Sequence, residues 1–458
     1  MSETRVEKDS LGEIEVPVEA RWGAQTQRAV DNFPISGRRL PDRFIQAVVR
    51  IKRCAAQTNA DLELLDEHKR AAIVGACNEL LAGHYLDQFP VDVFQTGSGT
   101  STNMNVNEVI AHLCREAGTE IHPNDDVNLG QSSNDTIPSA LHLSSVLAVT
   151  EQLMPGLEHL IATLGLRASE GKTLVKTGRT HLMDAMPVTV EQELRTWVLQ
   201  LQGASERLAR ARDDLYALPQ GGTAVGTGIN ADPDFGERFA EALADDTGRP
   251  FTALPHPALA QSAVDAPLHL SAALRGLAVV LMKISNDLRW MNSGPIHGLA
   301  ELRLPATQPG SSIMPGKVNP VICESATMVA AQVIGLDQAN TVAAQSGNFQ
   351  LNVMLPLLAT NLLDMTEWLA NSCRNLADQA IQGMTWNEQH LAEGVGRNPI
   401  LVTALNPVIG YEKAAAIAKE AFASGRAVID VAAEHTDLDR DELKKLLDPL
   451  KLTGPSGH

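Results

Sequence analysis

The sequence predicts a mainly α-helical protein whose core is a bundle of long helices. Apolar residues recur three and four positions apart over segments of roughly 20 to 30 residues, the spacing of one face of an α-helix. Aromatic residues make up only 4% of the 458 residues. The core must therefore be built from Leu, Ala, Val, Ile and Met, a mixture that favours helices over sheets. Long antiparallel helices with apolar stripes are typical of a bundle.

The sequence predicts different secondary structure in successive regions of the chain. The first 35 residues contain Pro17 and Pro34 and predict short extended pieces and turns, and helical patterning then runs from about Asp42 to Ala82. Residues 90–139 are polar and predict loops. The tail from about Met384 places Pro and Gly between shorter helical runs and predicts a small helical domain. Five long helices are predicted between these regions, over Val146–Leu164, Leu194–Leu215, Leu270–Met291, Cys323–Val342 and Leu351–Ala370.

Composition and charge exclude several classes of protein. The formal net charge is −18 and there is no basic run, which argues against binding to DNA or RNA. No stretch reaches the roughly 18 consecutive apolar residues of a membrane span, and the N-terminus lacks an apolar signal segment. We therefore expect a cytoplasmic protein with no membrane partner. The scattered cysteines predict reduced thiols and no cysteine-rich zinc site; they are Cys54, Cys77, Cys114, Cys323 and Cys373.

Four polar clusters interrupt the helical segments and are candidates for a ligand site. Each lies next to a predicted helix end, where free backbone N–H groups bind anions. Ser, Thr and Asn at such positions also serve as N-caps, so capping is the alternative for each cluster taken alone. The clusters are Gly97–Thr100 with Asn103 and Asn105, Ser132–Asp135, Lys176–His181, and the stretch GSSIMPGKVNP at 310–320.

The stretch 310–320 does not fit a nucleotide-binding loop. Five residues separate Gly310 from Gly316, and Val318 follows Lys317. A Walker A motif needs four residues between its glycines and a Ser or Thr after its lysine. The residues predict instead a mobile serine loop beside a cation, with Lys317 and Asn319 close enough in sequence to approach one carboxylate.

These stretches resemble the fumarase/aspartase superfamily, and class II fumarase within it. GSSIMPGKVNP is similar to the signature loop of the superfamily. Three neighbours favour fumarase over aspartase: His181 where aspartases carry Gln, Gly316 where they carry Ala, and Glu324 after Cys323. Further similar stretches, in the same order over nearly the whole chain, are WGAQTQRA at 22–29, QTGSGTSTNMNVNEV at 95–109, HPNDDVN at 122–128, QSSNDTIP at 131–138, GRTHLMDAMPVT at 178–189 and NPVIGYEKAAAIAKEA at 406–421.

The resemblance implies both an architecture and an activity. It implies a mixed, mostly helical N-terminal domain over 1–138, a long-helix bundle over 139–388 and a small helical domain over 389–458. It also implies a homotetramer with active sites shared by three subunits. The activity would be fumarate hydratase, the tricarboxylic acid cycle enzyme that interconverts fumarate and (S)-malate through an aci-carboxylate carbanion without a cofactor. The alternatives are aspartate ammonia-lyase and an inactive structural relative.

The resemblance also implies roles for particular residues. Ser311 would take the C–H proton, His181 would handle the leaving hydroxyl, Glu324 would orient His181, and Lys317 would stabilise the carboxylate. Whether Ser311 or His181 acting through a water is the base stays open. The substrate-binding residues would be Ser98, Gly99, Thr100, Ser132, Ser133, Asn134, Thr180, Ser312, Lys317, Val318 and Asn319.

A secondary dicarboxylate site is implied at His122, Pro123, Asn124 and Asp125. Related proteins often carry a basic residue three positions before the histidine, where this chain has Thr119. We therefore expect weaker anion binding at the secondary site. His122, Asp125 and Asp126 lack further ligands at metal spacing, so no metal is expected.

Overall fold

Helices make up most of the chain. The structure is a computed structural model that describes residues 3–454. The helices are α1 Ala24–Asn32, α2 Asp42–Asp61, α3 Glu67–Leu81, α4 Thr100–Glu116, α5 Ser133–Ala148, α6 Met154–Glu170, α7 Val190–Asp213, α8 Phe235–Thr247, α9 Ala258–Ser262, α10 Asp265–Met291, α11 Val321–Ala344, α12 Leu355–Asn375, α13 Glu388–Arg397, α14 Asn406–Ile409, α15 Tyr411–Ser424, α16 Val428–His435 and α17 Arg440–Leu446.

Within residues 3–454, the strands form four separate two-stranded pairs. Three pairs are antiparallel, and the short pair β5–β6 is parallel. The strands are β1 Thr4–Asp9 with β2 Gly12–Pro17, β3 Val175–Thr180 with β4 Met183–Thr189, β5 Ala217–Leu218 with β6 Thr252–Ala253, and β7 Leu302–Arg303 with β8 Thr385–Trp386. Sheet therefore serves as local bracing in a helical protein, and the predicted mainly α class is confirmed.

The long predicted helices are present and bury their apolar stripes. Two of them continue through single π-helical turns, at Val149–Leu153 between α5 and α6, and at Leu376–Ile381 after α12. Leu274, Leu281 and Leu288 of α10 have no exposed surface, as expected for apolar residues on one helical face.

The helical run predicted from Asp42 to Ala82 is interrupted. It ends at Asp61 and resumes at Glu67, because Glu63 adopts a left-handed φ of 59°. The N–H groups of Leu64 and Leu65 turn back to the carbonyl oxygen of Asn59. A left-handed residue ends an α-helix and lets its last carbonyls find partners.

The chain divides into two compact units. The first comprises Met1–Pro155, Ser205–Gly276 and Gln332–Ala370, and the second comprises Gly156–Ala204, Leu277–Ala331 and Asn371–His458. Each boundary falls inside one of the five long helices α6, α7, α10, α11 and α12. Within the second unit, the segments from Val395 onward form an apolar cluster around Leu405, Ile417 and Val431.

One helix, α10, is long and apolar enough by composition to meet the criterion for a membrane span. Its most apolar 18-residue window is 56% buried inside the protein. Core helices of globular proteins pass the same test, and the fully buried leucines of α10 give it the character of a core helix.

Candidate active site

The cluster Gly97–Thr100 forms a tight turn at the start of α4. Gly99 has a φ of 74°, and a Cβ there would lie 2.8 Å from the side chain of Ile137. Only glycine fits both the conformation and the space. Ser98 Oγ and Thr100 Oγ1 lie 2.9 Å apart. The turn thus presents two hydroxyls at the N-terminus of a 17-residue helix, where free N–H groups favour an anion.

The cluster Ser132–Asp135 begins α5 with a capping box. Ser132 Oγ accepts from the N–H of Asn134 at 3.2 Å, and Asp135 Oδ1 accepts from the N–H of Ser132 at 2.9 Å. The Asn134 amide donates to the carbonyl oxygen of Ala224 at 2.8 Å. The capping alternative is therefore correct for Ser132, while the first turn of the helix is still held in one orientation.

These two clusters are joined within the first unit. Asn103, one turn into α4, donates from Nδ2 to Ser133 Oγ at 3.1 Å. Gly99 also lies against Ile137 of α5. Two helix N-termini with their hydroxyls are thereby placed side by side, which concentrates N–H and O–H donors without adding a net charge.

The cluster Lys176–His181 was expected next to a helix end, and this expectation is wrong. Lys176–Thr180 lie in β3, and the chain turns back into β4 at His181 and Leu182, whose φ values are 56° and 60°. Two successive left-handed residues make the tight turn of a hairpin. The residues MDAMPVT, Met183–Thr189, form the second strand. Thr180 and His181 are exposed at the hairpin tip.

A buried ion-pair network anchors the base of this hairpin. Glu301, only 3% exposed, lies 2.7 Å from both Lys176 Nζ and Arg179 Nη1. Lys176 also contacts Glu193 at 2.5 Å. Gly178 is required between the two cations because a Cβ there would lie 2.5 Å from the carbonyl oxygen of Met186. The position of His181 is therefore set by charged groups in β3.

The stretch 310–320 is a loop closed by its own backbone. The N–H of Gly310 donates to the carbonyl oxygen of Lys317 at 2.9 Å, and Asn319 Nδ2 donates to the carbonyl oxygen of Gly310 at 2.7 Å. Ser311 Oγ accepts from the N–H groups of Ile313 at 3.2 Å and Met314 at 3.1 Å. The two N–H dipoles thus create positive electrostatic potential at Ser311 Oγ, which favours negative charge on that atom.

Several predicted catalytic side chains have no partner among the described residues. The Lys317 ammonium, the His181 ring and the Glu324 carboxylate make no hydrogen bond or ion pair within residues 3–454. The loop residues Ser312, Lys317 and Val318 are exposed. The predicted pairing of Glu324 with His181 is accordingly not formed within the described chain. These groups are available to a ligand or to another protein surface.

Comparisons with known proteins agree over almost the whole chain. The Lyase family matches residues 12–335, and the Fumarase C C-terminus family matches residues 401–454. The chain is 56% identical to fumarate hydratase class II 2 of Pseudomonas aeruginosa, with 99% of each chain covered. It is 54% identical to the class II enzyme of Xylella fastidiosa strain 9a5c, covering 98% of this chain and 95% of that protein. The chain belongs to the class II fumarase family.

Solved structures agree with this assignment. A class II fumarase from Schistosoma mansoni is 38% identical and superposes with a TM-score of 0.96, covering 99% of this chain and 100% of that one. A fumarate lyase:delta crystallin structure from Brucella melitensis bound to cobalt is 43% identical, with a TM-score of 0.95 and the same coverage. The class II fumarase fold is thus established over 99% of the chain.

Two of the stretches that resemble class II fumarase, 22–29 and 95–109, contact each other and stabilise the fold. The buried Glu108, in the stretch 95–109, accepts from the N–H groups of Gly23 at 2.9 Å, Gln25 at 3.0 Å and Thr26 at 3.1 Å. Its carboxylate therefore caps α1, which begins in the stretch WGAQTQRA. Burial raises the pKa of Glu108, against the lowering effect of these donors. The two stretches hold each other in place.

The predicted secondary site forms a π-helical turn over Pro123–Val127. His122 Nδ1 accepts from the N–H of Asp125 at 3.1 Å, and the N–H of His122 donates to Asp126 at 2.8 Å. Asp126 is paired with Lys69 at 2.7 Å. Thr119 Oγ1, three residues before His122 in the chain, lies 3.4 Å from His68 Nε2. Helix α3 therefore supplies His68 and Lys69 to the surroundings of the turn.

Several residues around these clusters were missed from the sequence. The glycine-rich segment at 219–230 packs on the start of α5, where Asp135 Oδ2 accepts from the N–H groups of Gly221 at 3.1 Å and Thr223 at 2.8 Å. The dense glycines of QGGTAVGTG were the available signal. Lys52 and Asn128 were also missed: Asn128 ends the stretch HPNDDVN, but nothing in that stretch indicates its hydrogen bond to the distant Lys52.

One group of described residues has the spacing of metal ligands. Ligand atoms of Glu420, Glu434 and His435 lie within 4.8 Å of one another near the end of the chain. Arg426 already pairs with Glu434, and two of the three residues are exposed. Such clusters of acids are common on protein surfaces without an ion, and this one lies outside the predicted catalytic residues.

Proposed function

We propose that the protein is a fumarate hydratase that interconverts (S)-malate with fumarate and water. The observation that carries the proposal is its 56% identity, over 99% of both chains, to a class II fumarate hydratase. The character of the polar clusters supports it. A small dicarboxylate needs many hydrogen-bond donors and few fixed charges, and the clusters supply hydroxyls, amides and N–H groups with the single cation Lys317 in the loop.

The difficult step is removal of a proton from the carbon beside a carboxylate. Lys317 and Asn319 act on that carboxylate, so that its oxygens take up the charge as an aci-carboxylate when the C–H bond breaks. Hydroxyls and amides of the other clusters bind the remaining carboxylate oxygens. Those residues are Ser98, Thr100, Ser132, Ser133, Asn134, Thr180 and Ser312, with the backbone of Gly99 and Val318.

Ser311 Oγ, present as an alkoxide before the step, takes the proton from carbon and becomes a hydroxyl, and its two N–H donors support this role. The N–H groups of Ile313 and Met314 point at Oγ and stabilise negative charge on it. His181 gives a proton to the hydroxyl, which leaves as water as the C–O bond breaks. Glu324 hydrogen-bonds the His181 ring of another subunit in the proposed assembly and fixes its tautomer. The reverse sequence hydrates fumarate.

The proposed assembly is a homotetramer in the cytoplasm, with each active site built from three subunits. Exposed apolar side chains along the long helices support it, including Leu199 of α7, Val279 of α10, and Met328 and Val342 of α11. The unpaired His181, Lys317 and Glu324 support it as well. The proposed domains are 1–138, 139–388 and 389–458. The apolar cluster from Val395 onward favours the third.

Two assays on the purified chain test the proposal. Malate should give the absorbance of fumarate at 240 nm in the first assay, after exhaustive dialysis against EDTA. In the second, aspartate should release no ammonia. Ammonia release without malate dehydration would make the chain an aspartate ammonia-lyase. Inactivity on both substrates would make it a structural relative and overturn the proposal.

A further inference from the structure

Lys52, in the middle of α2, is a buried cation that faces only neutral partners at hydrogen-bonding distance. It has no exposed surface, and its Nζ donates to Asn128 Oδ1 at 2.8 Å and to Gln131 Oε1 at 3.0 Å. Fully buried lysines are rare and are usually paired with an acid. If this position served only to pack α2 against its neighbours, an apolar residue would give the greater stability.

The partners of Lys52 lead directly to two substrate-binding clusters. Asn128 and Gln131 begin and end the segment that runs into Ser132, so Lys52 fixes the chain immediately before the start of α5. Asn128 Oδ1 also accepts from Asn103 Nδ2 at 3.1 Å. The same Asn103 amide donates to Ser133 Oγ at 3.1 Å. Hydrogen bonds through Asn128 therefore connect the Lys52 ammonium to the N-terminal turns of both α4 and α5.

We propose that Lys52 is a positioning residue for the dicarboxylate, which orients Ser132, Ser133 and Asn134 through Asn128 and Gln131 and supplies a buried positive charge behind them. The inference rests on the proposed function and deepens it. In a chain of net charge −18, a dianion needs a local field that opposes the overall one. A charge shielded from water acts over a longer distance than one on the surface.

The groups that face Lys52 determine its charge state. Burial lowers the pKa of Lys52 to about 7, against the opposing influence of Asp135 on α5 and Cys77 on α3. Burial also raises the pKa of Asp135 to about 6. From α4, the nearby groups are the neutral amides of Asn103 and Asn107, which share the acceptor Asn128.

The remaining charged groups on neighbouring elements have other partners. Asp246 of α8 pairs with Arg50 and Arg53 on α2, and Asp126 of the π-helical turn pairs with Lys69. As pH rises from 6 to 8, Asp135 becomes an anion and Lys52 loses its proton. Both changes oppose a bound dianion, so dicarboxylate binding should weaken as pH rises through about 7.

The test uses Lys52→Met, Lys52→Gln and the matched control Arg53→Met in the full-length protein. Arg53→Met also removes one cation from α2, but from the side that pairs with Asp246. The measurements are kcat and KM for malate, and the dissociation constant of succinate, a dicarboxylate that cannot react, measured by calorimetry from pH 6 to 8. Melting temperature and oligomeric state are recorded for each variant.

Lys52→Met and Lys52→Gln should raise KM and the succinate dissociation constant roughly tenfold or more, equivalent to one strong charged contact. The change in kcat should be smaller. The difference in succinate binding between wild type and these variants should shrink as pH rises through about 7. Arg53→Met should behave as wild type in binding. Lys52→Gln retains a hydrogen-bond donor, so it isolates the charge and serves if Lys52→Met does not fold.

Wild-type KM and succinate binding in a folded Lys52→Gln protein would overturn the role of the charge. The same result in both Lys52 variants would overturn the positioning role as well. A wild-type chain that binds succinate but does not dehydrate malate would contradict the proposed function alone. The comparison of succinate binding between wild type and the Lys52 variants would still test the role of Lys52.

Discussion

At the scale of single residues, the Ser311 hydroxyl serves two purposes that a substitution can separate. It accepts two backbone hydrogen bonds that shape the turn after it, and it is the proposed base. As a local cap it contributes about 1 kcal/mol to stability. As a base it contributes to the rate and little to the stability. Thermal unfolding measures the contribution to stability, and kcat measures the contribution to the rate.

We therefore predict that Ser311→Ala lowers kcat for malate by roughly 10² to 10⁴-fold, the usual contribution of a positioned acid or base. Its melting temperature should fall only slightly. Lys317→Ala is the comparison, because it removes the cation from the carboxylate and should raise KM as well as lower kcat. A Ser311→Ala enzyme with near-normal turnover would exclude the serine as base and favour His181 acting through a water.

The roles of some single residues could be predicted from the sequence, and those of others could not. Ser311 and Lys317 were predictable because they stand in a stretch that resembles a known loop. Lys52 and Arg53 are adjacent cations on α2, and the helical period separates them, because Lys52 lies four residues from the buried Val48 and Ala56. Lys52 is fully buried while Arg53 pairs with Asp246. The period does not show that the buried ammonium meets Asn128 and Gln131, which are distant in sequence.

At the scale of elements, the long helices were predictable and the hairpin was not. Apolar residues three and four apart specify a buried helical face directly, as the stripe of α10 shows. The hairpin β3–β4 turns at His181 and Leu182 without the glycine or asparagine that normally marks such a turn. Its geometry depends on the distant Glu301, which no local pattern connects to β3.

We predict that Glu301→Gln uncouples the hairpin from its support. The change leaves Arg179 without its carboxylate partner and leaves the buried Lys176 with Glu193 alone. Removing one partner of a buried ion pair costs about 3 kcal/mol, and kcat should fall because His181 loses its fixed position. Kinetics and thermal unfolding of the variant measure both effects.

The control for this prediction is Glu434→Gln, which breaks an exposed pair with Arg426. Exposed pairs contribute little to stability, so this variant should retain the wild-type melting temperature and kcat. Unchanged kcat in Glu301→Gln, with a lowered melting temperature, would limit Glu301 to a structural role.

At the scale of the whole molecule, the family and its fold follow from the order of several short stretches along the chain, since they extend from residue 22 to residue 421. The assembly does not follow from composition or periodicity. Apolar residues on the long helices look alike whether they face the core of one chain or another subunit. Leu274 is fully buried, whereas Val279 on the same helix is 53% exposed.

Shared active sites make a quantitative prediction about mixed tetramers. Suppose that each site takes Ser311 from one subunit and His181 from another. In a tetramer refolded from equal amounts of Ser311→Ala and His181→Asn chains, about a quarter of the sites then receive both intact residues, because the two subunits are drawn independently. Two inactive proteins should together recover up to that fraction of wild-type turnover. A mixture of Ser311→Ala with Lys317→Ala is the matched control, since both residues lie in one loop and enter a site from the same subunit. That mixture should recover nothing. Equal recovery in the two mixtures, or none in either after subunit exchange has been verified, would contradict sites shared between subunits.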